Sequence, residues 1–117
     1  MRVLVVDDDP DVTDTLCVLV QRLGHEAVGA TSGPDALDRF GRDRYDLVVV
    51  DVLMPEMNGL EVIRHLRGID DNARIVALTG TGLDLGDALA TVGVRFVRKP
   101  IGTLAAVANL IGARIDG

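Results

Sequence analysis

Short apolar runs punctuate the chain, and each leads to a polar residue. Val3-Leu4-Val5-Val6 runs into Asp7 and Asp8, Leu47-Val48-Val49-Val50 into Asp51, Ile75-Val76-Ala77-Leu78 into Thr79, and Phe96-Val97 stands shortly before Lys99. The runs are brief, rich in β-branched residues and free of polar alternation, as expected of strands buried on both faces of a parallel sheet. Polar residues at the ends of such strands emerge together at the carboxyl edge, where open α/β sheets bind ligands. The pattern therefore predicts one pocket built from Asp7, Asp8, Asp51, Thr79 and Lys99.

Between the runs, apolar residues recur at helical spacing. Asp9 is placed to cap a helix over residues 10–23, with Pro10 at its first position, Val12, Leu16, Leu19 and Leu23 repeating along it, and Gly24 as its stop. Residues 26–30 read as a weaker second strand, followed by a turn and cap at Thr31-Ser32-Gly33-Pro34 and a helix carrying Ala36, Leu37 and Phe40. A turn-rich loop, Met54-Pro55-Glu56-Met57-Asn58-Gly59, leads into a third helix with Leu60, Ile63 and Leu66, closed by Gly68. Gly80-Thr81-Gly82 and Asp84 open a short fourth helix containing Ala88, Leu89 and Val92, and a last helix spans about 103–115. Right-handed crossovers would place these helices on both faces of a doubly wound, five-stranded parallel sheet.

Composition narrows the class. At 117 residues and 12.4 kDa, with 48% hydrophobic residues, the expectation is one folded domain over 1–117. A net charge of -6 argues against nucleic acid or an anionic membrane as direct partner, since phosphate-backbone binding relies on clustered Lys and Arg. With Cys17 alone there is no intramolecular disulfide. No leader pattern opens the sequence and no apolar run approaches the ~20 residues that span a bilayer, so the expected compartment is the cytoplasm.

Three carboxylates converging at one strand edge repel one another, so the pocket takes up either a proton or a cation. A hard divalent ion is the natural occupant, and Mg²⁺ uses few carboxylates while recruiting phosphate oxygens. Asp51 can then serve as a nucleophile toward phosphorus, because in-line phosphoryl transfer needs mainly positioning and charge neutralisation. Lys99 would neutralise the other side of the transferring group, and the Thr79 hydroxyl can hydrogen-bond a remaining oxygen.

The set Val5-Val6-Asp7-Asp8-Asp9, Val50-Asp51-Val52-Leu53-Met54-Pro55 with Asn58-Gly59, Leu78-Thr79-Gly80 and Lys99-Pro100 resembles the receiver domain of two-component response regulators, over essentially the whole chain. The resemblance implies a five-stranded (βα)₅ flavodoxin-like fold with strand order 2-1-3-4-5, accepting a phosphoryl group from a histidine kinase or phosphotransfer protein. By position, Asp51 matches the phosphoacceptor, and Asp7, Asp8 and the backbone carbonyl of Leu53 match the Mg²⁺ ligands. Thr79 matches the switch hydroxyl, Phe96 the aromatic switch position and Lys99 the phosphate-binding lysine. Pro100 matches a family cis-proline. In the family, phosphorylation draws the hydroxyl inward and the aromatic ring follows, altering the surface of helix four, strand five and helix five.

Other readings stand beside these. Asp9 reads as a cap, not a metal ligand, and Phe96 fits ordinary core as well as a switch. Cys17 reads as a small buried or half-buried hydrophobe, and His25 and His65 as surface residues. The segment between Thr79 and Lys99 is short and glycine-rich for a receiver, which puts output through helix four in question. The last helix has Leu104, Val107, Ala108 and Ile111 as its core stripe, leaving Ala105, Ala106, Asn109 and Leu110 as an uncharged face suited to a homodimer. By the family resemblance, the Leu53 side chain lies near the path of attacking water and would slow loss of the phosphoryl group. The chain also fits a receiver-like interaction module that is never phosphorylated, or a haloacid-dehalogenase-type phosphatase using Asp7 within Asp7-Asp8-Asp9.

Overall fold

The apolar runs fold as strands of a single parallel sheet. β1 (Arg2–Val6), β2 (Glu26–Ala30), β3 (Leu47–Asp51), β6 (Ile75–Thr79) and β7 (Arg95–Arg98) lie in the order β2-β1-β3-β6-β7, the expected 2-1-3-4-5 arrangement. The computed structural model describes residues 1–54, 57–79, 95–98, 105–108 and 111, with the backbone alone for Leu53, Met54, Met57, Thr79, Arg95, Phe96 and Arg98.

Strand alternation explains why the runs carry no polar break. Leu4, Val6, Val48 and Val50 face one core, with Phe40, Val62, Ile63 and Leu66. Val3, Val5, Leu47 and Val49 face a second core, with Leu16, Leu19, Val20, Val107 and Ile111. Each such side chain contributes roughly 1.5–3 kcal/mol when fully buried, so a polar residue on either face of β1 or β3 would forfeit that gain. Only the strand ends are left for polar residues.

The first two helices begin at the expected caps, and the third at Asn58, which the sequence offered only as part of the turn-rich loop. α1 (Pro10–Arg22) starts after Asp9, whose carboxylate accepts from the Asp11 amide at 2.9 Å. Past its end, Gly24 takes a φ of 90°, a conformation that favours glycine. α2 (Gly33–Arg42) starts after Ser32, whose hydroxyl accepts from the Asp35 amide at 3.1 Å. α3 (Gly59–Ile69) starts after Asn58, whose side-chain oxygen accepts from the Leu60 amide at 3.0 Å.

Several expectations are corrected. Gly68 does not close α3: the helix runs through it to Ile69, and the Asp70 amide donates to the Leu66 carbonyl at 2.9 Å. An interior glycine costs about 1 kcal/mol against alanine, less than α3 gains by burying Val62, Ile63 and Leu66. The turn-rich loop also carries structure, a short antiparallel ladder of β4 (Leu53–Met54) and β5 (Met57–Asn58). His65 is exposed as expected, but His25 is half-buried. The parallel start of β2 against β1 brings its Nδ1 within 2.9 Å of the Met1 amino group.

Residues 105–108 and Ile111 are helical, with Val107 and Ile111 buried and Ala105 exposed. Ala106, expected to face outward, is half-buried against the second core. Leu104, Asn109 and Leu110 lie outside the described residues, as does the expected fourth helix. Cys17 is half-buried; burial, with a smaller push from Asp14, raises its thiol above the ordinary range, as suits a packing residue rather than a nucleophile.

Candidate functional site

The register of the sheet assembles the site. β1 and β3 pair Val6 with Val50, so Asp7, directly after β1, and Asp51, the last residue of β3, arrive side by side at the carboxyl edge. The Asp7 amide donates to the Ala30 carbonyl at 3.1 Å, extending the pairing toward β2 by one residue. Asp7 is 2% exposed and Asp51 5%, while Asp8 is half-buried.

One carboxylate oxygen from each of Asp7, Asp8 and Asp51 lies within 4.8 Å of the others. At that separation two full charges repel by about 3 kcal/mol at an effective dielectric near 20. Two of the three groups are almost wholly withdrawn from water, so little solvent is present to offset the repulsion. Carboxylate oxygens gathered in this way suit a hard divalent cation.

Neighbouring residues hold the carboxylates in place. The Asp9 amide donates to Asp7 Oδ1 at 3.0 Å, so the loop orients the carboxylate that it carries. The Thr13 hydroxyl, on α1, lies 3.0 Å from both the Asp7 and the Asp9 carbonyl oxygens. On the other side, the Val52 amide donates to the Leu78 carbonyl at 3.0 Å, and the Gly59 amide to the Val52 carbonyl at 3.3 Å. A Cβ at Gly59 would stand 2.5 Å from the Asp51 carbonyl oxygen and 2.6 Å from Val52 Cα. Only glycine lets the start of α3 come this close to the backbone of Asp51.

Thr13 was invisible as a site residue in the sequence, because its partners are backbone atoms on another element. Gly59 was visible only within the turn-rich loop and the Asn58-Gly59 pair of the receiver resemblance. Asp9 caps α1 and is not part of the acidic cluster, as its position predicted.

The other expected residues are placed in part. Leu53 pairs with Asn58 in the β4–β5 ladder, which fixes the backbone two residues beyond Asp51. Thr79 ends β6, one position past Leu78, the partner of Asp51 in the register. Phe96 lies on β7 opposite Ala77. The side chains of Leu53, Thr79 and Phe96 lie outside the described residues, as do Lys99 and Pro100 with the expected cis bond.

Residues 3–110 match the response regulator receiver domain family. Response regulator MprA of Mycobacterium tuberculosis is 42% identical over an alignment of 94 residues, covering 74% of this chain and 41% of MprA. The chain thus matches less than half the length of that relative. Chemotaxis protein CheY of Thermotoga maritima is 37% identical over an alignment of 102 residues, covering 85% of each chain. The crystal structure of response regulator TrrA of Thermotoga maritima, in complex with Mg²⁺-BeF, is similar at a TM-score of 0.80 and 30% identity, covering 98% of this chain and 96% of that one.

Proposed function

The chain belongs to the response regulator receiver domain family, and on that premise we propose that it takes a phosphoryl group onto Asp51 with Mg²⁺ in the acidic pocket. The observation that carries the reading is the convergence of the Asp7, Asp8 and Asp51 carboxylates within 4.8 Å at the carboxyl edge. Asp7, Asp8, Asp51 and the Leu53 carbonyl would hold the ion, and this all-oxygen donor set fits its hardness. TrrA, of the same fold, was crystallised with Mg²⁺-BeF, which supports the choice of ion. Bound there, Mg²⁺ would draw charge from the oxygens of the transferring group.

In this reading an Asp51 carboxylate oxygen attacks the phosphorus of a phosphohistidine. The new P–O bond forms as the P–N bond breaks, and the departing imidazole takes up a proton. Asp51 is 5% exposed at the end of β3, beside Leu78 of β6, and such confinement favours a single direction of attack. The Lys99 ammonium balances charge on the phosphoryl oxygens, and the Thr79 hydroxyl donates to one of them. Movement of Thr79 then draws Phe96 and alters the surface around helix four, strand five and helix five. Its only catalysis is its own phosphorylation and dephosphorylation.

The donor is a histidine kinase or phosphotransfer protein, and the reading takes residues 1–117 as one receiver unit. Among the described residues no helix is long and apolar enough to cross a membrane. The proposed site of action is the cytoplasm. Output passes by protein contact rather than direct nucleic-acid binding, consistent with the net charge of -6. For a homodimer through helix five, the described residues offer Ala105 as an exposed position, whereas Ala106 leans into the core.

Intact-protein mass spectrometry after incubation with Mg²⁺ and acetyl phosphate tests the proposal. The wild type should gain one phosphoryl group, and Asp51→Asn should gain none. Steady phosphate release that needs Asp7 but survives Asp51→Asn would instead favour the phosphatase chemistry. No modification, even from a histidine-phosphorylated donor, would favour a pure interaction module.

A further inference from the structure

We propose that Thr13, seated against Gly29, is a positioning residue for the acidic pair Asp7 and Asp8 and sets the affinity of the pocket for Mg²⁺. The inference rests on the cation reading above. Thr13 is 3% exposed, and its hydroxyl oxygen lies 3.0 Å from the carbonyls of both Asp7 and Asp9. A threonine has one hydroxyl hydrogen, so the two carbonyls share it. Asp9's carbonyl already accepts the Thr13 amide at 3.0 Å, as the first turn of α1 requires. The bond to Asp7 is therefore the distinctive one: it ties the end of β1 to a helix that starts beyond the acidic loop.

The tie reaches the carboxylates. Residues 7 and 9 are fixed on either side of Asp8, and the Asp9 amide donates to Asp7 Oδ1 at 3.0 Å. Releasing the Thr13 hydroxyl frees the loop that aims two of the three clustered carboxylates. The Thr13 methyl is held in turn by β2. A Cβ at Gly29 would overlap Thr13 Cγ2 and stand 3.6 Å from Cys17 Sγ. Gly29 does not have a positive φ, so this glycine is demanded by space rather than by backbone conformation.

Hydroxyl and methyl thus do separable work, and substitution can divide them. Isothermal titration of Mg²⁺ into EDTA-treated full-length protein reads the outcome, with thermal unfolding in EDTA as the control for folding. Thr13→Val, which keeps the shape and removes the donor, should weaken binding by about 10–100-fold, as loss of an outer-shell partner does. Thr13→Ser, which keeps the donor, should bind close to wild type. Gly29→Ala should weaken binding by pushing on the methyl, and Thr13→Ser/Gly29→Ala should recover it, since serine has no methyl to push.

Wild-type affinity in a folded Thr13→Val, or no recovery in the double variant, overturns the role of Thr13 and leaves the cation reading intact. Absence of Mg²⁺ binding by the wild type overturns the cation reading and this inference with it. If Thr13→Val does not fold, the comparison of Gly29→Ala with the double variant decides.

Discussion

At the scale of single residues, the pocket depends on atoms that are missing as much as on those present. Gly59 has no side chain, and the space a Cβ would need is taken by the Asp51 carbonyl oxygen and Val52 Cα. Backbone atoms cannot swing aside as a flexible side chain does. Gly59→Ala should therefore lower stability by about 1–3 kcal/mol, the usual penalty for overpacking, read as a fall in the urea midpoint at unchanged slope. Asp7, Asp8 and Asp51 were legible in the sequence because each follows a buried run, and position after a strand is enough to place them. Thr13 was not, since its role exists only when α1 lies over β2 and Gly29 leaves room for its methyl.

At the scale of elements, sequence signals were strongest at helix starts. Asp9, Ser32 and Asn58 each turn a side-chain oxygen onto an amide of the following turn, and short polar residues in extended conformation do this wherever a helix begins. Ser32→Ala should accordingly cost ~1 kcal/mol in urea denaturation, through loss of the bond to the Asp35 amide. The binding of Mg²⁺ should be untouched, because Ser32 is not part of the acidic cluster. Helix ends were less legible. Gly24 terminates α1 with a positive φ, whereas Gly68 stays helical, and local composition alone does not tell the two apart. What separates them is packing, since Leu66 anchors the turn before Gly68 in the core. The β4–β5 ladder escaped notice because its strands are two residues each, too short for any alternation to show.

At the scale of the molecule, strand order was legible through the family resemblance, and the two cores through the unbroken apolar runs of β1 and β3. Because Asp7 and Asp51 are distant in sequence and meet only through the β1–β3 register, the acidic cluster, and with it the proposed cation site, belongs to the folded state. Mg²⁺ at ten times its dissociation constant should then stabilise the protein by about 1.4 kcal/mol, seen as a rise in melting temperature over an EDTA control and absent in Asp7→Asn. The same strands pose a different problem during synthesis. β3 is followed by its outer neighbour β6 only after the whole of α3 has emerged, so the run Leu47–Val50 waits with an open edge. Such a segment invites pairing with another chain, and flanking charges discourage it. Asp46 and Asp51 bracket the run directly. The carboxylate proposed to accept the phosphoryl group is thus a gatekeeper of the nascent chain before it is anything else.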